Sequence, residues 1–301
     1  MIPQKIQLKI IYVLRSGLFN DSWRYRLWRW ISKLQKEKIF WIPLNIKGKK
    51  IWICGIHGKT DAVINLQKIE NEPFQVALSL LDKKKKSLIL DVGANLGQSL
   101  LVAKSHSDNR VVCYEPSPSC VKILQHTVHK NSFRGVIIRS MGLGSRAGSL
   151  QLFGSGACDS NASLVPGFRS EATQSTTVQV STLDREIQKN PRWKPSLIKI
   201  DVEGGEYDVL QGATKVLTKH RPIICIETLY PKTLCHKKRQ SAATRLLKRA
   251  RYKFFHFREG GSLKVSTKLR GDPSYQYNDY LCFPKEKTEK IMACLKLIKR
   301  D

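Results

Sequence analysis

Four acidic residues of this 301-residue chain each stand directly after a short apolar run. Asp91 follows Leu88 to Leu90, and Glu115 follows Val111-Val-Cys-Tyr. Asp201 follows Leu197 to Ile200, and Glu227 follows Pro222 to Ile226. Each run reads as a buried strand, so each acid marks a strand's carboxyl end. In open α/β sheets that edge holds the ligand. Asp91 opens the stretch Asp-Val-Gly-Ala-Asn-Leu-Gly, and an apolar segment suited to a helix begins at Ser99. Gly93 and Gly97, with Asn95 between them, let the backbone approach a ligand, and Asp91 can bind a cationic or hydroxyl group. Strand, acid, glycine turn and helix N-terminus together make a nucleotide-type cofactor site. At this turn the Gly-x-Gly-x-x-Gly of a dinucleotide site and the Gly-Lys-Ser/Thr of a phosphate loop are both absent.

Glu115 lies 24 residues beyond Asp91, at the end of the second strand. That spacing suits a grip on a ribose diol, because two carboxylate oxygens match two hydroxyl donors. A helix cap ahead of Pro116 is the plainer role for the same residue. After the third strand (Gly135 to Arg139), Ser140-Met141-Gly142-Leu143-Gly144 would reach the same edge, near an adenine. In Ser196-Leu-Ile-Lys-Ile-Asp-Val-Glu-Gly-Gly-Glu, three acids (Asp201, Glu203 and Glu206) crowd one strand end. Caps and solvated charges account for Glu206, but less well for Asp201, which follows directly on the apolar strand. Like charges close together raise a carboxyl's pKa, which suits a base, and that is expected of Asp201.

The elements that would hold these residues alternate strand and helix. Residues 44–56 read as short strands, 61–66 and 73–81 as helices. Leu150 to Phe153 and Thr176 to Val180 read as antiparallel additions. Residues 154–175, rich in Gly, Ser, Ala and Asn, form a loop able to cover the site. Residues 237–253 read as a basic helix, Phe254 to Phe257 and Asn278 to Phe283 as a closing hairpin, and residues 286–299 as an amphipathic helix.

The chain carries a net charge of +29, concentrated outside this centre. Residues 1–50 hold twelve Lys and Arg against Asp21 and Glu37, and residues 232–270 hold thirteen against Glu259. Such flanks suit an anionic partner, or a solvated surface. In residues 4–42, Lys and Arg interleave with Trp23, Trp28, Trp30 and Trp41. The pattern fits an amphipathic helix on an anionic membrane, or a helical arm packed on the core. The eight cysteines show no zinc spacing, and several lie in apolar runs, as buried thiols of a reducing, cytoplasmic compartment do. No run is long enough to span a bilayer, so membrane contact would be peripheral, at the inner surface. No spacing along the chain requires a metal, and oligomeric state is not legible.

With both acidic stretches in view, the chain resembles the FkbM family of S-adenosylmethionine (SAM)-dependent methyltransferases. The carrying residues are Asp91-Val-Gly-Ala-Asn-Leu-Gly, Tyr114-Glu-Pro-Ser-Pro, Ser181-Thr-Leu-Asp, Ile198-Lys-Ile-Asp-Val-Glu-Gly-Gly-Glu and Val209-Leu-Gln-Gly-Ala. Glu72-Pro73-Phe74 and Ala162-Ser163-Leu164 depart from the family's Glu-Tyr and Ser-Ser-Leu. The resemblance implies a class I methyltransferase fold: a mostly parallel seven-stranded sheet with helices on both faces. It divides the chain into a basic, Trp-rich extension (1–50), the methyltransferase domain (51–284) and a basic C-terminal helix (285–301). It implies SAM as methyl donor, held by Asp91, Gly93, Asn95, Gly97, Glu115, Pro116, Met141 and Asp201. It implies O-methylation of a hydroxyl on a glycan, glycolipid precursor or small metabolite. Asp201 is then the candidate base, with Glu203 and Glu227 next and His57 a weaker choice.

Two other functions compete. The charge suits a nucleic-acid methyltransferase. No Asn/Asp-Pro-Pro-Tyr/Phe motif for exocyclic amines and no Pro-Cys pair is present, which leaves a ribose 2′-O-methyltransferase as the RNA alternative. The other is a non-catalytic module of the same fold held at a membrane, against which the intact Asp91, Gly93, Gly97 and Glu115 argue.

Overall fold

The computed structural model describes residues 39–56, 72–82, 85–156, 158–159, 161–168, 172–258, 262–274 and 276–298. The interleaved segment of residues 4–38, the helical pattern of 61–66 and His57 lie outside them.

The chain enters as a hairpin, β1 (Ile39–Ile46) and β2 (Lys49–Ile56), paired without a break from Ile39 opposite Ile56 to Ile46 opposite Lys49. Lys47 and Gly48, both at positive φ (51° and 75°), make the two-residue turn that matches strand twist. Residues 39–42 are thus strand rather than the end of an amphipathic helix. The expected domain boundary after residue 50 falls inside this hairpin.

Helix α1 (Glu72–Ser79) follows, then β3 (Leu88–Val92), α2 (Gln98–His106), β4 (Arg110–Tyr114), α3 (Pro118–Lys130) and β5 (Val136–Arg139). These are the expected strand–helix alternations. Ser117 caps α3 by accepting from the Cys120 amide, with Pro118 in the first turn, where its missing N–H costs nothing. α4 (Leu183–Lys189), β9 (Pro195–Ile200), α5 (Glu206–Gln211), α6 (Thr214–Lys219) and β10 (Ile223–Glu227) continue the pattern. Gly212 breaks what reads as one helix into α5 and α6, because a Cβ there would strike the Gly144 carbonyl.

Helix α7 (Leu234–Arg249) leads to β11 (Tyr252–Arg258), β12 (Ser262–Ser266), β13 (Asp279–Pro284) and α8 (Thr288–Ile298). The main sheet has the order β12-β11-β13-β10-β9-β3-β4-β5, parallel from β10 to β5 and antiparallel beyond. It contains the expected seven strands and adds β12 as an eighth at the edge. β13 inserts between β10 and β11, so the hairpin partner of β11 in sequence is β12. A separate three-stranded sheet holds β6 (Gly142–Leu143), β8 (Gln174–Ser181) and β7 (Gly148–Gly154).

Two apolar clusters pack the faces of the main sheet. Ile89, Val111 and Leu197 point into one, Leu90, Val112 and Ile198 into the other, as the twofold period of a strand dictates. Strands covered on both sides read as continuous apolar runs, which is why their ends stand out in the sequence. Cys54, Cys113, Cys120, Cys158, Cys225 and Cys282 are buried, and Cys235 is exposed. Among the described residues no helix is long and apolar enough to cross a membrane.

Candidate functional site

The carboxyl ends of β3, β4 and β9 enclose one side of a cavity that is partly open to solvent. Gly93, Asn95, Glu115, Pro116 and Asp201, all expected at the site, line it. Leu152, Asp159, Ala162 and Leu164 also line it, so residues 159, 162 and 164 of the expected cover stand at the site. Ser163 fastens that cover by donating from Oγ to the Glu203 carbonyl at 2.6 Å. Met141, expected near an adenine, packs instead against one of the core clusters. Gly142 and Leu143, of the same expected stretch and held by β8, do line the cavity. Gly97 lies outside the wall, at the N-terminus of α2 with φ 95°.

The turn after β3 is set by close packing. Gly93 has φ 83°, and a Cβ on it would collide with the Asp201 carbonyl oxygen. Only glycine satisfies both conditions. Asn95 follows with φ 47° and gives its amide to Glu115 Oε2 at 2.8 Å. Glu115 Oε1 accepts from the Ser117 amide, also at 2.8 Å. The residue therefore fills both roles read from the sequence: it orders the start of α3 and it faces the cavity. Each oxygen keeps a lone pair for a ligand hydroxyl. Burial pushes the Glu115 pKa up to about 7, against the pull of the two amides.

Asp91 is 1 % exposed, and neither carboxylate oxygen has a hydrogen-bond partner among the described residues. Asn95 Oδ1 is likewise buried without one. Burial raises the Asp91 pKa to about 6, with Lys199 opposing. Asn95 lines the cavity, whereas Asp91 lies outside its wall, one residue before Val92. Unpartnered buried acceptors are costly, and beside a cavity they call for a donor supplied by a ligand. A ligand with a cationic amine and a ribose diol matches acceptors of this kind.

Beside the cavity lies the acid cluster. One carboxylate oxygen each from Asp201, Glu203 and Glu227 lies within 4.8 Å of the others. No metal-ligand spacing is visible along the chain, but the fold brings these three together, and it also supplies a cation of its own. Lys199, 5 % exposed, donates from Nζ to Asp201 Oδ2 at 2.8 Å. Burial favours a neutral Lys199, yet Asp201 and Asp91 outweigh it and hold the ammonium charged. Burial likewise works against the Asp201 charge, and Lys199 and a hydrogen bond from Glu227 overcome it. Asp201 therefore ionises below its usual range, the reverse of the expected like-charge shift. That shift falls on Glu227, which the Asp201 charge, and then burial, drives well above the usual range. Glu227 stays protonated and donates to ionised Asp201. Asp279, opposite Glu227 in the β10–β13 register, is raised by burial to about 6.

Lys199 stands in the Ile198-Lys-Ile-Asp motif and Asp279 in the expected strand Asn278 to Phe283, neither with an assigned role. The signal for Lys199 was a single lysine inside an otherwise apolar strand. Asp279 gave none, since its neighbour across the sheet is more than fifty positions away.

A family model described as the methyltransferase FkbM domain matches residues 91–254, from the Asp91 turn into β11. The chain belongs to that family. Among curated relatives, a protein named methyltransferase 1 from Beauveria bassiana is 26% identical over 144 residues, covering 42% of this chain and 58% of the relative. One named hexuronic acid methyltransferase AglP, from Haloferax volcanii, is 24% identical over 159 residues, covering 52% and 62%. Among solved structures, an FkbM methyltransferase from Methylobacillus flagellatus aligns with TM-score 0.45 and 19% identity, over 74% of this chain and 52% of that one. The chain spans about three fifths of the length of these two curated relatives. The FkbM match contains the whole glycine turn, Glu115 and the acid cluster, and leaves out Asp279 and the β1–β2 hairpin.

Proposed function

We propose that this FkbM-domain protein is a SAM-dependent O-methyltransferase acting on a hydroxyl of a glycan, glycolipid precursor or small metabolite. The observation that carries the reading is the pair of acceptors on one cavity wall, Asn95 with Oδ1 unpartnered and Glu115 held by two amides, with Asp91, both oxygens unpartnered, buried two residues before Gly93 at the root of the same turn. An acid-lined pocket in a strongly basic chain selects a cationic ligand. Asp91 and Asn95 would hold the amino-acid end of SAM, and Glu115 its ribose. When bound, SAM supplies an electrophilic methyl group that needs little further activation.

The chain's own residues then have one task, to place an acceptor hydroxyl and take its proton. Asp201 is the base. It is ionised, it faces the cavity, and its charge is fixed by Lys199 on one side and Glu227 on the other. Glu227 keeps its proton and orients Asp201, and Glu203 borders the same space. The name of the Haloferax volcanii relative supports a carbohydrate as acceptor.

The test is calorimetric titration of S-adenosylhomocysteine (SAH) into the wild type and into Glu115→Ala. Micromolar binding lost in the variant is expected, followed by label transfer from methyl-labelled SAM to a glycan or metabolite pool. A folded wild type that binds no SAH refutes the cofactor, and label found only in RNA refutes the acceptor.

A further inference from the structure

Helix α7 carries Lys and Arg but no acidic residue, and the acid-free stretch of chain around it runs from Thr228 to Arg258. Arg239 is half-buried and pairs with Asp208. Lys237, Lys238, Arg245, Lys248 and Arg249 are exposed, and none has an ion-pair partner among the described residues.

Helical spacing gathers these cations on one face. Leu234, Lys238, Ser241, Arg245 and Lys248 recur every three or four positions and are all exposed. Ala243 and Leu247, on the other side of the helix, pack into the core. Two further cations flank the stripe. The Leu269 amide donates to Thr244 Oγ1 at 3.1 Å, which lays residues 268–270 against α7 with Lys268 and Arg270 exposed. On the other flank, Arg245 and Arg249 line a groove against Gln211, Thr214 and Thr218, and no acid lines it. Asp184, beside Thr214, is bonded to the Lys215 and Val216 amides.

A face of one sign works against the stability of its helix. Arg245 and Arg249 are like charges at i, i+4, and Lys237 and Lys238 stand near the N-terminus, where the dipole disfavours cations. A face kept only for solubility interleaves both signs. A cluster of exposed Lys and Arg on one amphipathic helix instead matches an anionic lipid surface.

The end of the stripe nearest the acid cluster separates lipid from nucleic acid. Leu234 is 68 % exposed and Tyr230 36 %. An exposed leucine and tyrosine beside cations suit the membrane interface. Single-stranded nucleic acid binds by stacking its bases on aromatic rings. Helix α7 has no Phe, Tyr or Trp, and the Tyr207 ring, in the groove, is covered by Arg239.

We propose that α7 is a docking face for an anionic lipid membrane, with Lys238, Arg245, Lys248 and Arg249 against the headgroups and Leu234 entering the interface. β10 ends at Glu227 and α7 begins at Leu234, so docking through the start of α7 brings the catalytic edge toward the lipid. The docking is independent of methyl transfer and needs no contribution from residues 4–38.

The full-length protein is sedimented with phosphatidylcholine vesicles, alone or with about one lipid in three replaced by phosphatidylserine. Binding confined to the anionic vesicles and weakened by added salt is expected. The double variant Arg245→Glu/Arg249→Glu should lose about tenfold or more of that binding, and Leu234→Ser a few-fold. Both alter exposed side chains, and near-wild-type melting temperatures verify their folding. A folded wild type that ignores the anionic vesicles overturns the proposal. Equal binding by the wild type and both variants also overturns it, because the contact then lies elsewhere in the chain. So does binding confined to single-stranded RNA, read by fluorescence anisotropy and lost in the double variant, which makes α7 a nucleic-acid face instead.

Discussion

Lys199 Nζ stands 2.8 Å from Asp201 Oδ2, two positions further along the same strand direction. A spacing of two puts both side chains on one face of the sheet. Asp91, across the β3–β9 register from Lys199, adds a second carboxylate to the same ammonium. The ammonium keeps Asp201 ionised, and ionised Asp201 in turn keeps the proton on Glu227. The cluster thus contains one carboxylate ready to accept a proton and one acid that steadies it.

Asp201→Asn should lower kcat by roughly 10²- to 10⁴-fold, the usual worth of a positioned base. SAH affinity should change only a few-fold, since the amide keeps the shape of the wall. Glu227→Gln mimics the protonated acid as a hydrogen-bond donor, so it should retain far more turnover than Asp201→Asn. Steady-state rates with labelled SAM decide. Equal losses in the two variants would refute the division of roles between them.

Lys199→Met removes the cation and leaves Asp201 among acids. Breaking a buried pair by deleting one partner costs about 3–5 kcal/mol unless the remaining group neutralises. Asp201 should neutralise, by holding its proton to higher pH. The acid limb of the kcat profile should then move toward alkaline pH, with activity recovering as pH rises. A profile that keeps its wild-type limb at reduced amplitude would show that Lys199 acts only through stability.

Most of this arrangement can be read from the chain because the strands are buried on both faces. Leu88–Leu90 and Leu197–Ile200 are unbroken apolar runs, so Asp91 and Asp201 mark their ends plainly. Glu115 was legible from its spacing alone. What the sequence could not show depends on neighbours across the sheet. Asp279 meets Glu227 only through the antiparallel β13, and the direction of the Asp201 shift depends on where Lys199 Nζ comes to rest. Of the stretch 140–144 expected near an adenine, Gly142 and Leu143 reach the cavity and Met141 does not, because the short β6 ladder with β8, a tertiary pairing, turns Gly142 to the cavity.

The raised carboxyls link stability to pH. Asp91, Glu115, Glu206 and Asp279 rise from ordinary values of 3.8–4.5 to about 6–7, all through burial first. A folded-state pKa above the unfolded one gives stability that is complete below the unfolded pKa and lost as pH rises through the folded one. Asp201, shifted downward, works in the opposite sense. The ligand-free protein should therefore lose melting temperature between about pH 5 and pH 8, and Glu115→Gln should flatten that slope. SAH, which brings an ammonium group, should stabilise more at the upper end, where Asp91 and Glu115 are ionised. Melting curves with and without SAH across this range provide the check. A flat ligand-free profile and a constant SAH increment would refute the assignment.

Gly93→Ala tests the packing that brings the two halves of the site together. The substitution places a methyl where φ is 83° and where the Asp201 carbonyl oxygen already sits. The backbone conformation alone costs about 1–3 kcal/mol for a residue with a side chain. The collision adds to this, because the Asp201 amide is tied to the Val92 carbonyl at 3.0 Å and cannot retreat freely. Asp201 should therefore shift together with the turn that carries Asn95, so SAH affinity and kcat should fall together. Gly48→Ala is the matched control: φ is 75°, nothing lies within 4 Å of the added Cβ, and the turn belongs to the β1–β2 hairpin. It should lose about 1 kcal/mol in urea unfolding and leave SAH affinity and turnover unchanged. If Gly93→Ala behaved like Gly48→Ala in all three measurements, contact between the β3 turn and Asp201 could not be what sets the geometry of the site.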